Sequence, residues 1–316
     1  MKFSFIIPVY NRSEELHELL CSIRDLQTES EFEVLVIDDG SYEDLGSIVA
    51  RFKNILDVFY FKKENSGPAD SRNFGMTKAK GDFFIFLDSD VILPPTYLDA
   101  VVQGIEQEGL QAFGGPDRAS EDFSSFQKAV SYSMTSLLTT GGIRGSESRK
   151  KSFFARSFNM GISSEVFKLT QGFSDMRYGE DIDLSIRIQK LNFKSGLIPS
   201  AYVYHKRRTS FSAFFKQTFH FGTARPVLNK LYPFTAKLTF WFPSVFILGL
   251  GLALIFWVLS DSFLLLSFYG VYGLLIAYDG TYKNKSFIVG ILAVLTTLTQ
   301  FLGYGSGFLK SRFIKA

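Results

Sequence analysis

"DFFIFLDSD", residues 82–90, decides how the rest of the chain is read. A run of large apolar residues passes straight into Asp88 and Asp90, with a single serine between them. A short continuous apolar run fits a strand buried on both faces of a sheet. Two carboxylates so close together are costly to hold side by side unless a positive group lies between them. Residues i and i+2 of a strand point to the same face, so the spacing predicts that both carboxylates approach one site. A small set of hard oxygen ligands suits Mg2+ or Mn2+, ions that keep waters and accept phosphate oxygens as further ligands. A divalent ion bridging to a diphosphate is the expected positive group; an ordinary turn is the alternative reading.

Three stretches of the same kind lie upstream: "FSFIIPVY" (3–10), "FEVLVIDD" (32–39) and "VFYFKK" (58–63). Helical patterns separate them. Ser13–Leu26 carries Leu16, Leu19, Leu20 and Ile23 on one face, and Tyr42–Phe52 and Ala69–Lys80 follow. Strands alternating with helices predict a parallel sheet built from right-handed crossovers. Ligands of such sheets bind at the carboxyl ends of the strands. The polar strand ends, Asn11–Arg12, Asp38–Asp39 and Asp88–Asp90, are therefore expected to gather on one edge.

Other segments add candidate chemistry. In "VIDDGS", Asp38 and Asp39 either accept hydrogen bonds from an imide N–H or ribose hydroxyls of a ligand, or serve as turn formers. In "NSGPADSRNFG" (65–75), Arg72 on a helix is placed to meet a phosphate or a base edge, or is a surface arginine. In "GFSDMRYGEDIDLSIR" (172–187), Glu180 and Asp181 open a helix. There they complement the helix dipole, or one of them faces the site as a general base. "AYVYHKRR" (201–208) ends a strand in His205, a candidate third metal ligand beside the aspartates.

The chain's 316 residues suit about two domains, and 46% hydrophobic with 16% aromatic residues is rich for a soluble enzyme. A net charge of +3 is too mild to indicate nucleic acid. The single cysteine, Cys21, excludes a disulfide framework and a cysteine metal cluster. The run 3–10 is short, broken by Pro8 and without a cleavage pattern, so the first domain is expected to stay on the side where it is made. Thr239–Ser260, Ser262–Tyr278 and Ser286–Leu309 carry no charge. A spanning helix needs roughly 20 apolar residues, so the first and third qualify and the second is short. Phe211–Leu231 reads as an amphipathic helix at a membrane surface, or as a core helix, with Phe211, Phe214, Phe215, Thr218 and Phe219 at helical spacing. Lys206, Arg207, Arg208, Lys216, Arg225, Lys230 and Lys237 precede the first span, which predicts that this flank is cytoplasmic. Lys283 and Lys285 agree with that orientation, whereas Lys310, Arg312 and Lys315 fall on the opposite side if all three segments cross.

Taken together, "IIPVYNR", "VIDDGS", "NSGPADSRNFGMTKAKGDFFIFLDSD", "GFSDMRYGEDIDLSIR" and "YHKRR", in this order from Lys2 to Arg208, resemble the family 2 glycosyltransferases of the GT-A fold. The resemblance implies a Rossmann-like mixed α/β sheet flanked by helices and followed by transmembrane helices. It implies an inverting transfer of sugar from a nucleotide-sugar, usually a UDP-sugar. Pro8, Tyr10, Asp39 and Arg72 would line the nucleotide pocket, with Asp38 beside them. Asp88 and Asp90 match the family's DXD element, where Asp88 also reaches the ribose; His205 matches a third metal ligand, and Asp181 the base, with Glu180 in support. The expected domains are a catalytic part over 1–209, an interface helix within 210–237 and an anchor over 238–316 with two to three spans. A cytoplasm-facing enzyme of an inner membrane, working in cell-envelope polysaccharide or glycolipid synthesis on a glycan or lipid-linked acceptor and touching membrane lipid but no nucleic acid, follows from this reading.

The chain lacks the QxxRW element of processive synthases, having "HKRRTSF" there, which favours transfer of a single sugar. The glycine-rich, basic stretch 139–152 either closes over the donor diphosphate or is a surface loop. A sugar nucleotidyltransferase would want a glycine-rich basic loop after the first strand, where "PVYNR" stands. A non-catalytic membrane scaffold would have no reason to keep Asp39, Asp88, Asp90 and Asp181 together.

Overall fold

The computed structural model describes residues 1–118, 123–141 and 154–314; most of the stretch 139–152 lies outside them. Two compact units emerge, one of Met1–Ser120 with Glu147–His205 and one of Glu121–Ser146 with Lys206–Ala316.

In the first unit the strands are β1 Phe3–Val9, β2 Phe32–Asp38, β3 Val58–Lys62, β4 Phe83–Leu87, β5 Val91–Ile92, β6 Ala112–Gly114, β7 Asp117–Arg118, β8 Asn159–Ser163, β9 Ser195–Leu197 and β10 Val203–His205. A seven-stranded sheet runs β3-β2-β1-β4-β8-β6-β9, and a three-stranded one β5-β10-β7. The four strands expected over the first 90 residues, β1 to β4, are all mutually parallel, and the one expected before His205 is β10 of the smaller sheet. β8 enters antiparallel to both β4 and β6, which makes the sheet mixed.

Helices α1 (Ser13–Arg24), α2 (Leu45–Ala50), α3 (Pro68–Lys78) and α4 (Tyr97–Glu108) follow the strands in alternation. Period two divides the strand residues between two cores. Phe3, Phe5, Ile7, Val34 and Val36 pack with Leu16, Leu19, Leu20 and Tyr97. Ile6, Leu35, Ile37, Phe84 and Phe86 face Met76, Leu184 and Ile188 on the other side. Strands covered on both faces must read as unbroken apolar runs, which is why they stand out in the sequence.

The second unit holds α5 (Ser125–Thr135) and α6 (Leu137–Thr140). In the first unit α7 (Ser164–Thr170) and α8 (Glu180–Lys190) follow; the second unit continues with α9 (Phe211–Leu231), α10 (Phe242–Ser260), α11 (Leu264–Asn284) and α12 (Phe287–Phe313). Three helices, Leu238–Ser260, α11 and α12, are long and apolar enough to cross a membrane. The second runs six residues beyond the charge-free stretch that ends at Tyr278, through Asp279 and Lys283. Its charge is matched locally: Asp279 accepts from Tyr132 Oη at 2.6 Å and pairs with Lys283 Nζ at 2.9 Å. The inner row of α9 is Phe214, Thr218, Gly222 and Arg225, while Phe211 and Phe215 of the anticipated apolar face are exposed. This row lies on α12, where Gly222, Gly303 and Gly307 let the two backbones approach closely.

Candidate active site

Parallel register sets the carboxyl ends of the central strands side by side, with Val9 opposite Asp38 and Ile6 opposite Phe86. The loops that follow β1, β2 and β4 therefore meet at one edge. β4 ends at Leu87, whose ladder partner is Asn159. Asp88 and Asp90 thus stand in the turn after the strand, and the turn, rather than strand periodicity, brings their carboxylates together. The chain then enters β5, where Val91 pairs antiparallel with His205. That register carries His205 across from 115 residues away to a place beside Asp90.

Ligand atoms of Asp88, Asp90 and His205 all lie within 4.8 Å of one another. His205 Nε2 is 3.1 Å from Asp90 Oδ1, and its ring stacks on Phe158 at 5.0 Å. His205 Nδ1 is buried without a hydrogen-bond partner, and Asp90 Oδ1 has only the approach of His205 Nε2. Such orphaned atoms call for an explanation, a bound ion among them. Arg12 Nη1 donates to Asp90 Oδ2 at 2.5 Å. Burial pushes the Asp90 carboxyl up, but His205 and Arg12 outweigh it and hold it well below the usual carboxylate range.

Arg72 ties this cluster to the head of α8. Its guanidinium is buried, donates to Asp88 Oδ1 at 2.7 Å and to Glu180 Oε1 at 3.2 Å, and lies over the Phe173 ring. Burial, then the neighbouring Asp181, push Glu180 up to about 7 against the pull of Arg72. A left-handed Gly179, with φ of 86°, turns the chain into α8. Asp181 Oδ1 accepts from the Ile182 N–H at 2.7 Å, and its Oδ2 lies 3.6 Å from Arg156 Nη1.

The remaining predicted residues lie at the ends of β1 and β2 and in the loops that follow them. Asp39 accepts from Lys63 Nζ at 2.6 Å and from the Ser66 and Gly67 amides at 3.0 and 2.8 Å. Those donors overcome its burial and lower its pKa. Asp38 differs from its neighbour: it is fully buried, and its oxygens accept from Tyr60 Oη at 2.5 Å and the Ser41 N–H at 2.8 Å. Its carboxylate is spent inside the fold, shaping the turn. Pro8 is buried within β1 opposite Ile37. Tyr10 is partly exposed, its ring 6.4 Å from that of Tyr42. Asn11 braces the two loops, its N–H donating to Ser41 Oγ and its Oδ1 accepting from the Tyr42 N–H.

Sequence reasoning missed three cations. Arg12 was visible only as part of a polar strand end, and Lys63 and Arg156 sit in stretches with no spacing signal. Each is identified by a carboxylate that folding brings near.

Residues 4–169 match the family model described as glycosyl transferase family 2. An uncharacterized glycosyltransferase of Rickettsia conorii is 46% identical over 89 residues, which are 28% of this chain and 15% of that protein. The chain thus spans a small part of that relative's length. A mannosyltransferase of Pyrobaculum calidifontis, solved in complex with GDP-Man and Mn2+, aligns with a TM-score of 0.68 at 16% identity, covering 99% of this chain and 88% of that one. Residues 1–349 of S. aureus TarS, solved in complex with UDP-GlcNAc, align with a TM-score of 0.51 at 19% identity, covering 99% of this chain and 92% of that one. At such identities the likeness is one of fold, the GT-A type of mixed sheet flanked by helices. With its family model matched over more than half of its length, the chain belongs to glycosyl transferase family 2.

Proposed function

We propose that the chain transfers a single sugar from a nucleotide-sugar, in this reading a UDP-sugar, to an acceptor hydroxyl with inversion at the anomeric carbon. The observation that carries the proposal is the gathering of Asp88, Asp90 and His205 within 4.8 Å, joined through Arg72 to the acidic head of α8. Asp88, Asp90 and His205 would hold a divalent ion, Mg2+ or Mn2+, and the buried His205 Nδ1, which has no hydrogen-bond partner, together with Asp90 Oδ1, met only by His205 Nε2, fits that role. When bound, such an ion offsets the negative charge that develops on the leaving nucleotide diphosphate.

The rest of the chemistry belongs to side chains. Asp181 takes the proton of the acceptor hydroxyl as that oxygen attacks the anomeric carbon. Its Oδ1 is anchored on the helix start and Arg156 lies by its Oδ2, so the carboxylate is oriented. Glu180 and Arg72 hold the acidic pair and Asp88 in fixed relation. Tyr10 and Asp39 line the nucleotide side, with Pro8 and Asp38 shaping the loops beneath. One displacement suffices, so no nucleophilic serine or cysteine is required.

Three helices long enough to span a bilayer support a membrane-bound enzyme. The acceptor in this reading is a glycan or lipid-linked molecule, and the catalytic unit faces the cytoplasm. The test is a panel of UDP- and GDP-sugars offered with Mn2+ to the purified full chain, reading nucleotide diphosphate release and sugar transfer. Release with one UDP-sugar, lost in Asp90→Ala, is the expected result. Transfer only from a GDP-sugar would replace the donor, and no donor binding or release at all would favour the non-catalytic scaffold.

A further inference from the structure

We infer that Arg12 is a built-in counter-ion of the Asp88/Asp90 pair, and that it makes uptake of a divalent ion depend on the nucleotide diphosphate. The inference rests on the metal-dependent reading proposed above. Two arginines serve the pair, and they are not equivalent. Arg72 is fixed: its side chain is 3% exposed and grips both Asp88 and Glu180. Arg12 is the displaceable one. Its side chain is 29% exposed, and among the described residues its one ion pair is with Asp90. It lies in the loop after β1, next to Asn11, whose φ of 51° turns the chain away from the strand.

Asp90 itself is buried, so its charge must be balanced whatever else is bound. In the arrangement seen, His205 and Arg12 flank it, and Arg12 supplies the permanent positive charge. A divalent ion on the same carboxylate would meet a guanidinium in contact with Asp90 Oδ2, and Arg72 already neutralises Asp88. The site would then hold more positive charge than its two carboxylates offset, in surroundings that screen poorly. A nucleotide diphosphate removes that excess, because it brings its own negative charge to the ion and to the released Arg12. Ion and diphosphate therefore bind synergistically, and by linkage each strengthens the other by the same factor. Without Arg12 the ion would bind Asp90 unopposed.

The experiment titrates Mn2+ into the full chain in detergent micelles, following free Mn2+ by its electron paramagnetic resonance, with and without saturating UDP. For the parent, UDP should tighten Mn2+ binding roughly tenfold or more, within the usual range of couplings between linked sites. Arg12→Gln should bind Mn2+ alone roughly tenfold tighter than the parent, and the gain from UDP should shrink to what the diphosphate oxygens supply as ligands to the ion. Arg12→Lys keeps the charge and should stay near the parent. Mn2+ affinity in Arg12→Gln that is unchanged or weaker overturns the inference, as does an Arg12→Lys that behaves like the glutamine variant. Should the glutamine variant melt at a much lower temperature, the parent alone decides, since equal Mn2+ affinity with and without UDP is incompatible with a competing counter-ion. No Mn2+ binding to the parent even with UDP is a separate result: it rejects the metal site itself and this inference with it.

Discussion

Asp181 and Glu180 are neighbours in sequence with different partners, Arg156 for the first and Arg72 for the second, and the roles proposed for them differ accordingly. Asp181→Asn keeps the size of the side chain and its acceptor oxygen for the Ile182 N–H, so the fold should survive. An amide cannot take up the acceptor's proton. Transfer should fall by about 10²–10⁴-fold, roughly 3–5 kcal/mol in barrier, while donor binding stays near the parental value. Near-parental transfer by Asp181→Asn together with a dead Glu180→Gln would mean that the roles are exchanged. Glu180 also makes a prediction about pH. Its pKa is raised from 4.5 to about 7, chiefly by burial. The folded state thus keeps a proton that the unfolded chain has released, so the stability this group contributes is full below about 4.5 and declines as pH rises to about 7. Glutamine does not ionise, so Glu180→Gln should gain on the parent across that window, by an amount on the order of a few kcal/mol, and level off above it. Melting curves of both proteins at several pH values check this; a difference that stays flat would mean that Arg72 keeps Glu180 ionised throughout. At the proposed metal ligands, Asp90→Ala should abolish Mn2+-dependent donor binding, whereas His205→Ala should weaken it less, because water replaces one neutral ligand more readily than a charged one. Calorimetry with UDP and Mn2+ separates the two.

Elements were legible in proportion to how local their causes are. β1, β2, β3 and α1 follow from the unbroken apolar runs and the spacing of Leu16, Leu19, Leu20 and Ile23, which are buried as expected. α2 is shorter than its pattern, running only Leu45–Ala50, because Asp44 caps it at Ser47 and non-helical turns carry the chain from Arg51 onward. The turn after β4, the antiparallel entry of β8 and the pairing of β5 with β10 depend on partners far along the chain, and no periodicity announces them. The same holds for α5. It groups with the second unit through Ser133 Oγ, which donates to Thr296 Oγ1 at 2.9 Å, and through Tyr132 on Asp279, partners about 150 residues away. Packing of α9 on α12 yields a further prediction. A Cβ at Gly222 would lie 2.2 Å from the Tyr304 carbonyl oxygen, and backbone cannot step aside easily. Gly222→Val should therefore lower stability by about 1–3 kcal/mol or more. Gly251 on α10 meets nothing within 4 Å, so Gly251→Ala should leave the melting temperature in detergent close to parental. Equal melting of the two variants would mean that the α9–α12 contact contributes little.

At the scale of the whole molecule, the second unit bears on the topology that the charges alone left in conflict. Counting three simple crossings puts Lys310 and Arg312 on the side opposite the basic flank that precedes α10. The packing points the other way. Trp241, just before α10, stacks edge-on against Phe308 at 4.9 Å and also meets Phe313, both near the end of α12. Lys310 lies over the Phe219 ring of α9, and Phe242 meets Phe301. The end of α12 thus lies beside the start of α10 and beside α9, whose own cations are Lys216, Arg225 and Lys230. α12 is also the most enclosed of the three apolar helices, with 39% of its apolar window buried against 11% for α10 and for α11. A helix wrapped by α5, α9, α10 and α11 need not cross as an independent lipid-facing span. Basic flanks stay cytoplasmic, and this arrangement satisfies that rule for the flank before α10 and for Lys310 and Arg312 together, while Lys283 and Lys285, at the other end of α12, no longer follow it. Reporters fused after Arg208 and after Phe313 should accordingly read the same, cytoplasmic side. Opposite readings would restore three full crossings and leave Lys310 and Arg312 outside, and an external reading for both would reverse the orientation of the catalytic unit.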